Sequence, residues 1–138
     1  MLNPSECRKK YAVYWKVAVT KKILIADDEE DIIDFLKTSL EMNGYSVVST
    51  SRGSKVSQLI KENRPDLLIT DVHMPGMDGY SLMLELSQKQ ETAGMPVIVM
   101  TGLAATRLLF EKIKQVKHFI TKPFEAEKML QVVKELIG

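Results

Sequence analysis

The stretch Leu67-Leu68-Ile69-Thr70-Asp71-Val72-His73-Met74-Pro75-Gly76-Met77-Asp78-Gly79 decides how the rest of the chain is read. It is an apolar and β-branched run that ends abruptly in a carboxylate and a turn. Pro65-Asp66 before it, and Pro75-Gly76 and Asp78-Gly79 after it, are turn signals, so the run reads as a short strand buried on both faces. Asp71 then stands at the carboxyl end of that strand. Ligands bind at that end of an open parallel α/β sheet, which makes Asp71 a site candidate; the plainer reading is an aspartate that merely starts a turn.

Upstream, Lys22-Ile23-Leu24-Ile25-Ala26 is a second run of the same kind and ends at Asp27 and Asp28. Ile32, Ile33, Leu36 and Leu40 then recur at helical spacing until Asn43-Gly44 stops them. Tyr45 to Thr50 reads as a β-branched strand, and Val56, Leu59 and Ile60 mark a short helix after Gly53. Downstream, Leu82, Met83 and Leu86 lie on a third helix, and Pro96 introduces the strand Val97-Ile98-Val99-Met100 before Thr101. Leu109, Ile113 and Val116 suggest a fourth helix, His118 to Thr121 a fifth strand, and Lys122-Pro123-Phe124 a tight turn. The last helix carries an apolar stripe of Ala126, Met129, Leu130, Val133, Leu136 and Ile137, with Glu125, Glu127, Lys128, Lys134 and Glu135 outside it.

Strands alternating with helices imply a doubly wound parallel sheet with right-handed crossovers. Asp27, Asp28, Asp71, Thr101 and Lys122 then all fall at carboxyl ends of strands, and separate loops converge on one crevice. This convergence, more than any one residue, argues for a site.

Length and composition agree with a single folded domain. The chain has 138 residues, 45% hydrophobic and 27% charged, which excludes a disordered or fibrous protein. No apolar run reaches the length of a membrane span. Cys7 is the single cysteine, so neither an internal disulfide nor a cysteine metal cluster can form, and a reducing cytoplasm fits best. The net charge is +1, but residues 1–22 hold Arg8, Lys9, Lys10, Lys16, Lys21 and Lys22 against Glu6 alone, a balance of +5 that leaves −4 for residues 23–138. A mildly acidic domain gives no electrostatic sign of direct nucleic-acid binding. Residues 1–20 read as a basic extension of unknown role ahead of a domain over 21–138. Lys16 interrupts its apolar part, which tells against a secretory signal, while a membrane-surface or partner-docking strip stays open.

Clustered carboxylates repel one another and raise each other's pKa or call for a counter-ion. Mg²⁺ suits them, since it takes oxygen ligands and bridges to phosphoryl oxygens, whereas the Cys and His ligands of a zinc site are missing. A carboxylate also accepts a phosphoryl group, forming an aspartyl-phosphate. A lysine, a hydroxyl and a metal then supply the positioning and charge neutralisation that phosphoryl transfer needs.

From Lys22 onward the sequence resembles the receiver domain of two-component response regulators, chemotaxis regulators among them. The resemblance is carried by Ile25-Ala26-Asp27-Asp28-Glu29, by residues 70–79, by Val97-Ile98-Val99-Met100-Thr101-Gly102, by Phe119, and by Thr121-Lys122-Pro123-Phe124. It implies a flavodoxin-like five-stranded sheet of order 2-1-3-4-5. It also implies that Asp71 is the phosphoacceptor, that Asp28, Asp71 and the backbone carbonyl of His73 hold Mg²⁺ directly, and that Asp27 does so through water. Thr101, Gly102 and Lys122 would bind the phosphoryl group. Thr101 and Phe119 would form the switch, and the Lys122–Pro123 peptide would be cis. The implied donor is a sensor histidine kinase or histidine phosphotransfer protein. The implied readout is a downstream protein bound by the fourth helix, fifth strand and fifth helix, which carry Arg107, Glu111, Lys112, Lys117 and Phe119. The regulator would be cytoplasmic, monomeric or weakly dimeric on phosphorylation, and a phosphoacceptor rather than a true enzyme.

Three features qualify the resemblance. The Gly-Ala pair usual before the fifth strand is missing from Ile113 to Lys122, so the fourth helix is expected to end differently. Leu103 and His73 stand where phosphoryl lifetime is tuned in the family, and an apolar Leu103 implies slow dephosphorylation. The chain stops one residue after the final stripe, which points to a stand-alone domain. His118 and Met74, Met77, Met83, Met95 and Met100 read as structural, and the His73 ring as solvated. Two other functions compete: a phosphorylation-independent docking module, and a phosphohydrolase with an aspartyl-phosphate intermediate. The intact set Asp27, Asp28, Asp71, Thr101 and Lys122 argues against the first. The second needs an acid/base Asp two residues after the nucleophile, where His73 stands instead.

Overall fold

The structure, a computed structural model, describes residues 20–76 and 78–138. The basic extension therefore lies, apart from Thr20, outside the described residues, as do Cys7 and Met77. The elements are β1 (Lys22–Ala26), α1 (Glu30–Met42), β2 (Ser46–Thr50), a 3₁₀ turn (Gly53–Lys55), α2 (Val56–Asn63), β3 (Leu67–Asp71), α3 (Gly79–Gln88), β4 (Val97–Thr101), α4 (Ala104–Phe110), β5 (Val116–Thr121) and α5 (Ala126–Ile137). The strands form one five-stranded parallel sheet of order β2-β1-β3-β4-β5, the flavodoxin-like order expected.

Alternation along the strands divides the core in two. Leu24, Leu68, Val97 and Val99 face one layer with Val56 and Ile60 of α2, Met83 and Leu86 of α3 and Phe110 of α4. Ile23, Ile25, Ile69, Ile98 and Met100 face the other, with Ile33, Leu36 and Leu40 of α1 and Met129 and Val133 of α5. β3 and β4 are buried at every position, which explains their unbroken apolar sequences, whereas the edge strand β2 is half-buried throughout. Each fully buried aliphatic side chain contributes roughly 1.5–3 kcal/mol, so the sheet holds its carboxyl edge rigidly.

Two turns set the rim of that edge. Gly44 closes α1 at a φ of +90°, and Gly76 shapes the loop after β3 at +75°, a region glycine enters without steric cost. Gly79 is needed for a different reason. A Cβ there would lie 2.6 Å from the Cβ of Val72, so only hydrogen lets α3 start against the loop that follows Asp71.

The fourth helix differs from its expected course. It ends at Phe110, and Ile113 lies in a turn in which the Ile113 amide donates to Phe110 O and the Val116 amide to Ile113 O. Val116 opens β5, two residues before the expected start. Among the described side chains of α4, Thr106 and Phe110 are buried, whereas Leu109 is exposed. In α5 Val132 joins Met129 and Val133 in the core, while Leu130, Leu136 and Ile137 are half-buried.

Candidate functional site at the carboxyl edge of the sheet

Asp27 follows β1 directly, and its amide donates to Thr50 O across the sheet edge, which fixes the backbone from which its carboxylate projects. That carboxylate is fully buried. Its Oδ1 accepts the Glu29 amide at 2.8 Å, and its Oδ2 takes the Lys122 ammonium at 2.6 Å. The same ammonium donates to Asp71 Oδ2 at 2.8 Å, and Asp71 Oδ1 accepts the amide of His73 at 2.7 Å. Asp71 is thus aimed by its own loop and by a lysine from the far side of the crevice. Glu29, at 3.7 Å from the Lys122 ammonium, adds an exposed carboxylate that the sequence places only in the acidic run ahead of α1.

Burial pushes the Asp27 carboxyl above the ordinary aspartate range, although the hydrogen bonds from Lys122 and the Glu29 amide and the lysine's charge pull the other way. For Lys122 the balance is reversed. Burial alone would lower it, but the hydrogen bonds and charges of Asp27 and Asp71 hold the ammonium above the usual lysine range.

Carboxylate oxygens of Asp27, Asp28 and Asp71 lie within 4.8 Å of one another, with Asp28 exposed at the mouth. A donor set of oxygens alone, partly open to solvent, suits a hard divalent cation.

Thr101 ends β4, and Lys122 follows β5 with its amide donating to Thr101 O at 2.9 Å, so the two strand ends are tied together. The Thr101 hydroxyl is turned to Leu103, accepting from its amide at 3.0 Å and donating to its carbonyl at 3.3 Å. A Cβ on Gly102 would meet nothing within 4 Å, which leaves the space beside Thr101 open. The peptide joining Lys122 to Pro123 is cis. Phe119 is half-buried on β5 beneath the Arg107 guanidinium, whose carbon lies 5.6 Å from the ring centroid.

The structure therefore joins Asp27, Asp71 and Lys122 directly, sets Asp28 beside them, and places Thr101 and Gly102 at the neighbouring strand end. His73 is exposed, as expected, but its ring also has a protein partner. Its Nε2 shares a 2.6 Å hydrogen bond with the hydroxyl of Thr106, which is buried on α4. No sequence signal marks this pair.

The family model described as the response regulator receiver domain matches residues 23–134. The chain is 33% identical over 117 residues to the DNA-binding dual master transcriptional regulator RpaA of Synechocystis sp., an alignment that covers 84% of this chain and 48% of that protein. This chain thus spans about half the length of that relative. Among solved structures, the chemotaxis response regulator CheY4 of Vibrio cholerae superposes with a TM-score of 0.79 at 21% identity, covering 86% of this chain and 100% of that one, which speaks for the fold alone. The response regulator protein TrrA of Thermotoga maritima, solved in complex with Mg²⁺ and beryllium fluoride, superposes with a TM-score of 0.75 at 27% identity, with coverage of 86% and 100%.

Proposed function

The chain belongs to the response regulator receiver family, and on that premise we propose that it is a phosphorylation-controlled switch whose phosphoacceptor is Asp71. The single observation that carries this reading is the Lys122 ammonium held between Asp27 and Asp71 at 2.6 and 2.8 Å. A lysine so placed neutralises an attacking carboxylate and the phosphoryl oxygens it acquires.

An Asp71 carboxylate oxygen attacks phosphorus of a phosphohistidine on a sensor kinase or phosphotransfer protein. The new O–P bond forms as the P–N bond breaks, and the imidazole leaves with a proton from solvent. Asp28, Asp71 and the carbonyl of His73 would hold Mg²⁺ directly and Asp27 through water; the metal, when bound, neutralises phosphoryl charge. Lys122 pairs with the phosphoryl group, and the Thr101 hydroxyl leaves Leu103 to donate to it. Gly102 leaves the space for that approach. Phosphorylation adds roughly one to two negative charges, and that charge acts only through partners that differ between two arrangements. Thr101 and Phe119 are those partners in this reading.

The readout we propose is a protein bound at α4, β5 and α5, in a cytoplasmic regulator that stays monomeric or dimerises weakly on phosphorylation. Exposed Leu108 and Leu109 on α4 support that surface. The protein accepts a phosphoryl group and assists its own gain and loss of it, without turning over a separate substrate. A phosphorylation-independent docking module has no comparable support, because such a module has no use for a half-buried lysine between two carboxylates.

The decisive experiment is the intact mass after incubation with a small acyl phosphate, with and without Mg²⁺, beside Asp71→Asn. One phosphoryl adduct that needs Mg²⁺ and Asp71 is the expected outcome. A wild-type protein that neither acquires the adduct nor binds beryllium fluoride with Mg²⁺ overturns the reading in favour of the docking module.

A further inference from the structure

The first turns of α4 are fastened to the site by two side chains. Thr101 holds Leu103 by amide and carbonyl at 3.0 and 3.3 Å, and the Thr106 amide donates in turn to Leu103 O at 3.2 Å. His73, from the loop that follows Asp71, holds the Thr106 hydroxyl at 2.6 Å. The His73 backbone is itself fixed by its amide, which donates to Asp71 Oδ1. A continuous chain of hydrogen bonds therefore runs from the Asp71 carboxylate through His73 to α4. It reaches the helix from the β3 loop, independently of the route through Thr101.

We propose that the His73–Thr106 hydrogen bond is a latch that holds α4 in its resting position and opposes the phosphorylated arrangement. This rests on the reading of Asp71 as phosphoacceptor. The direction follows from the company the bond keeps: it is closed in the same structure in which the Thr101 hydroxyl gives its one proton to the Leu103 carbonyl and so has none to donate to a phosphoryl group. When Thr101 lets go of Leu103, the latch remains as a side-chain hydrogen bond between the site and α4, beside the contact of Arg107 with the Phe119 ring. His73 and Thr106 are thus positioning residues that set how readily α4 follows Thr101. A latch closed only in the resting state must weaken the binding of anything that selects the other state, by the reciprocity of linked equilibria.

The probe is beryllium fluoride with Mg²⁺, its affinity measured by titration alongside amide hydrogen exchange over residues 104–110. His73→Phe keeps the ring and removes its nitrogens, and Thr106→Val keeps the volume and removes the hydroxyl. Each is expected to bind beryllium fluoride about three- to tenfold more tightly than the wild type, the range of one net hydrogen bond. The double variant is expected to gain no more than either single one, and exchange at 104–110 should rise in both before ligand is added. Unchanged or weaker affinity in both variants, or fully additive effects in the double variant, overturns the latch. A fall in melting temperature without an affinity change would show a purely structural bond and overturns it too. If the wild type binds no beryllium fluoride, the phosphoacceptor reading fails first.

Discussion

Asp27 and Lys122, 95 positions apart in the chain, meet in an ion pair of 2.6 Å in which the carboxylate is fully buried and the lysine side chain only 16% exposed. They come from the ends of β1 and β5, on either side of the two strands that carry Asp71 and Thr101. One cation thus answers two carboxylates across the whole crevice.

Removing that cation should be costly. Lys122→Met leaves Asp27 and Asp71 facing each other without a counter-charge, and breaking a largely buried pair costs about 3 kcal/mol. Urea unfolding at neutral pH without metal should show that loss, and saturating Mg²⁺ should restore part of it by giving the carboxylates another cation. A variant as stable as the wild type without metal would mean that the pair contributes little net stability.

Metal binding should be visible as stability in the wild type. A ligand that binds only the folded state at a hundred times its Kd adds about 2.7 kcal/mol. Thermal melts over a Mg²⁺ series should rise accordingly, and Asp28→Asn should flatten the rise, since Asp28 is the exposed member of the cluster. An undiminished rise in both Asp28→Asn and Asp71→Asn would place the cation elsewhere.

Alkaline pH should separate Lys122 from the rest of the molecule. A cation whose folded pKa is raised contributes stability that is complete below its unfolded value, near 10.5, and lost as pH climbs through the folded one. Tyr45, pushed up by burial from 10.0, also lowers stability as pH rises there, because the unfolded chain ionises first. Asp27 has the same sign but an acid window: its burial penalty is absent at low pH and sets in above the ordinary aspartate value of 3.8. The stability difference between the wild type and Lys122→Met should therefore narrow above pH 10.5, while the Tyr45 loss is common to both. Parallel urea midpoints from pH 9 to about 11.5 check this. A constant difference would contradict the raised lysine.

Gly79 should be intolerant of even one carbon. Gly79→Ala drives a Cβ to 2.6 Å from that of Val72, in the segment that aims Asp71, and overpacking of this kind costs roughly 1–3 kcal/mol. Because alanine suits a helix better than glycine, propensity alone would predict a gain. Urea midpoints decide the sign, and Val72→Ala in the same chain should recover part of the loss. Unaltered stability in Gly79→Ala would show that the loop gives way freely.

What can be read from the sequence divides along physical lines. β1, β3 and β4 are legible because strands covered on both faces are written as unbroken apolar runs, and the acidic residues beyond them mark the sheet's carboxyl edge. α4 is not, because a seven-residue helix has few inward positions, and among its described side chains one of the two buried ones is a threonine that looks like surface. Leu109, Ile113 and Val116 imitate a helical stripe, yet they belong to a helix, a turn and a strand. The His73–Thr106 bond joins residues 33 apart and depends on where α4 lies, so no local pattern announces it.

With Asp71 as the proposed phosphoacceptor, Leu103 should bear on how long the phosphoryl group lasts. It is 58% exposed two residues beyond Thr101, and its backbone, rather than its side chain, holds the Thr101 hydroxyl. Substitution therefore changes what faces an attacking water while leaving those backbone bonds in place. An aliphatic side chain offers water no hydrogen bond, so the aspartyl-phosphate should persist well beyond minutes in the wild type. Leu103→Gln, which gives water an amide to bind, should shorten that lifetime about tenfold, well below the hundredfold or more of a positioned general base. Loss of the phosphoryl adduct, followed by intact mass after the acyl phosphate is removed, measures both rates. Equal rates in the two proteins would take Leu103 out of the control of lifetime and move attention to the side chain of His73.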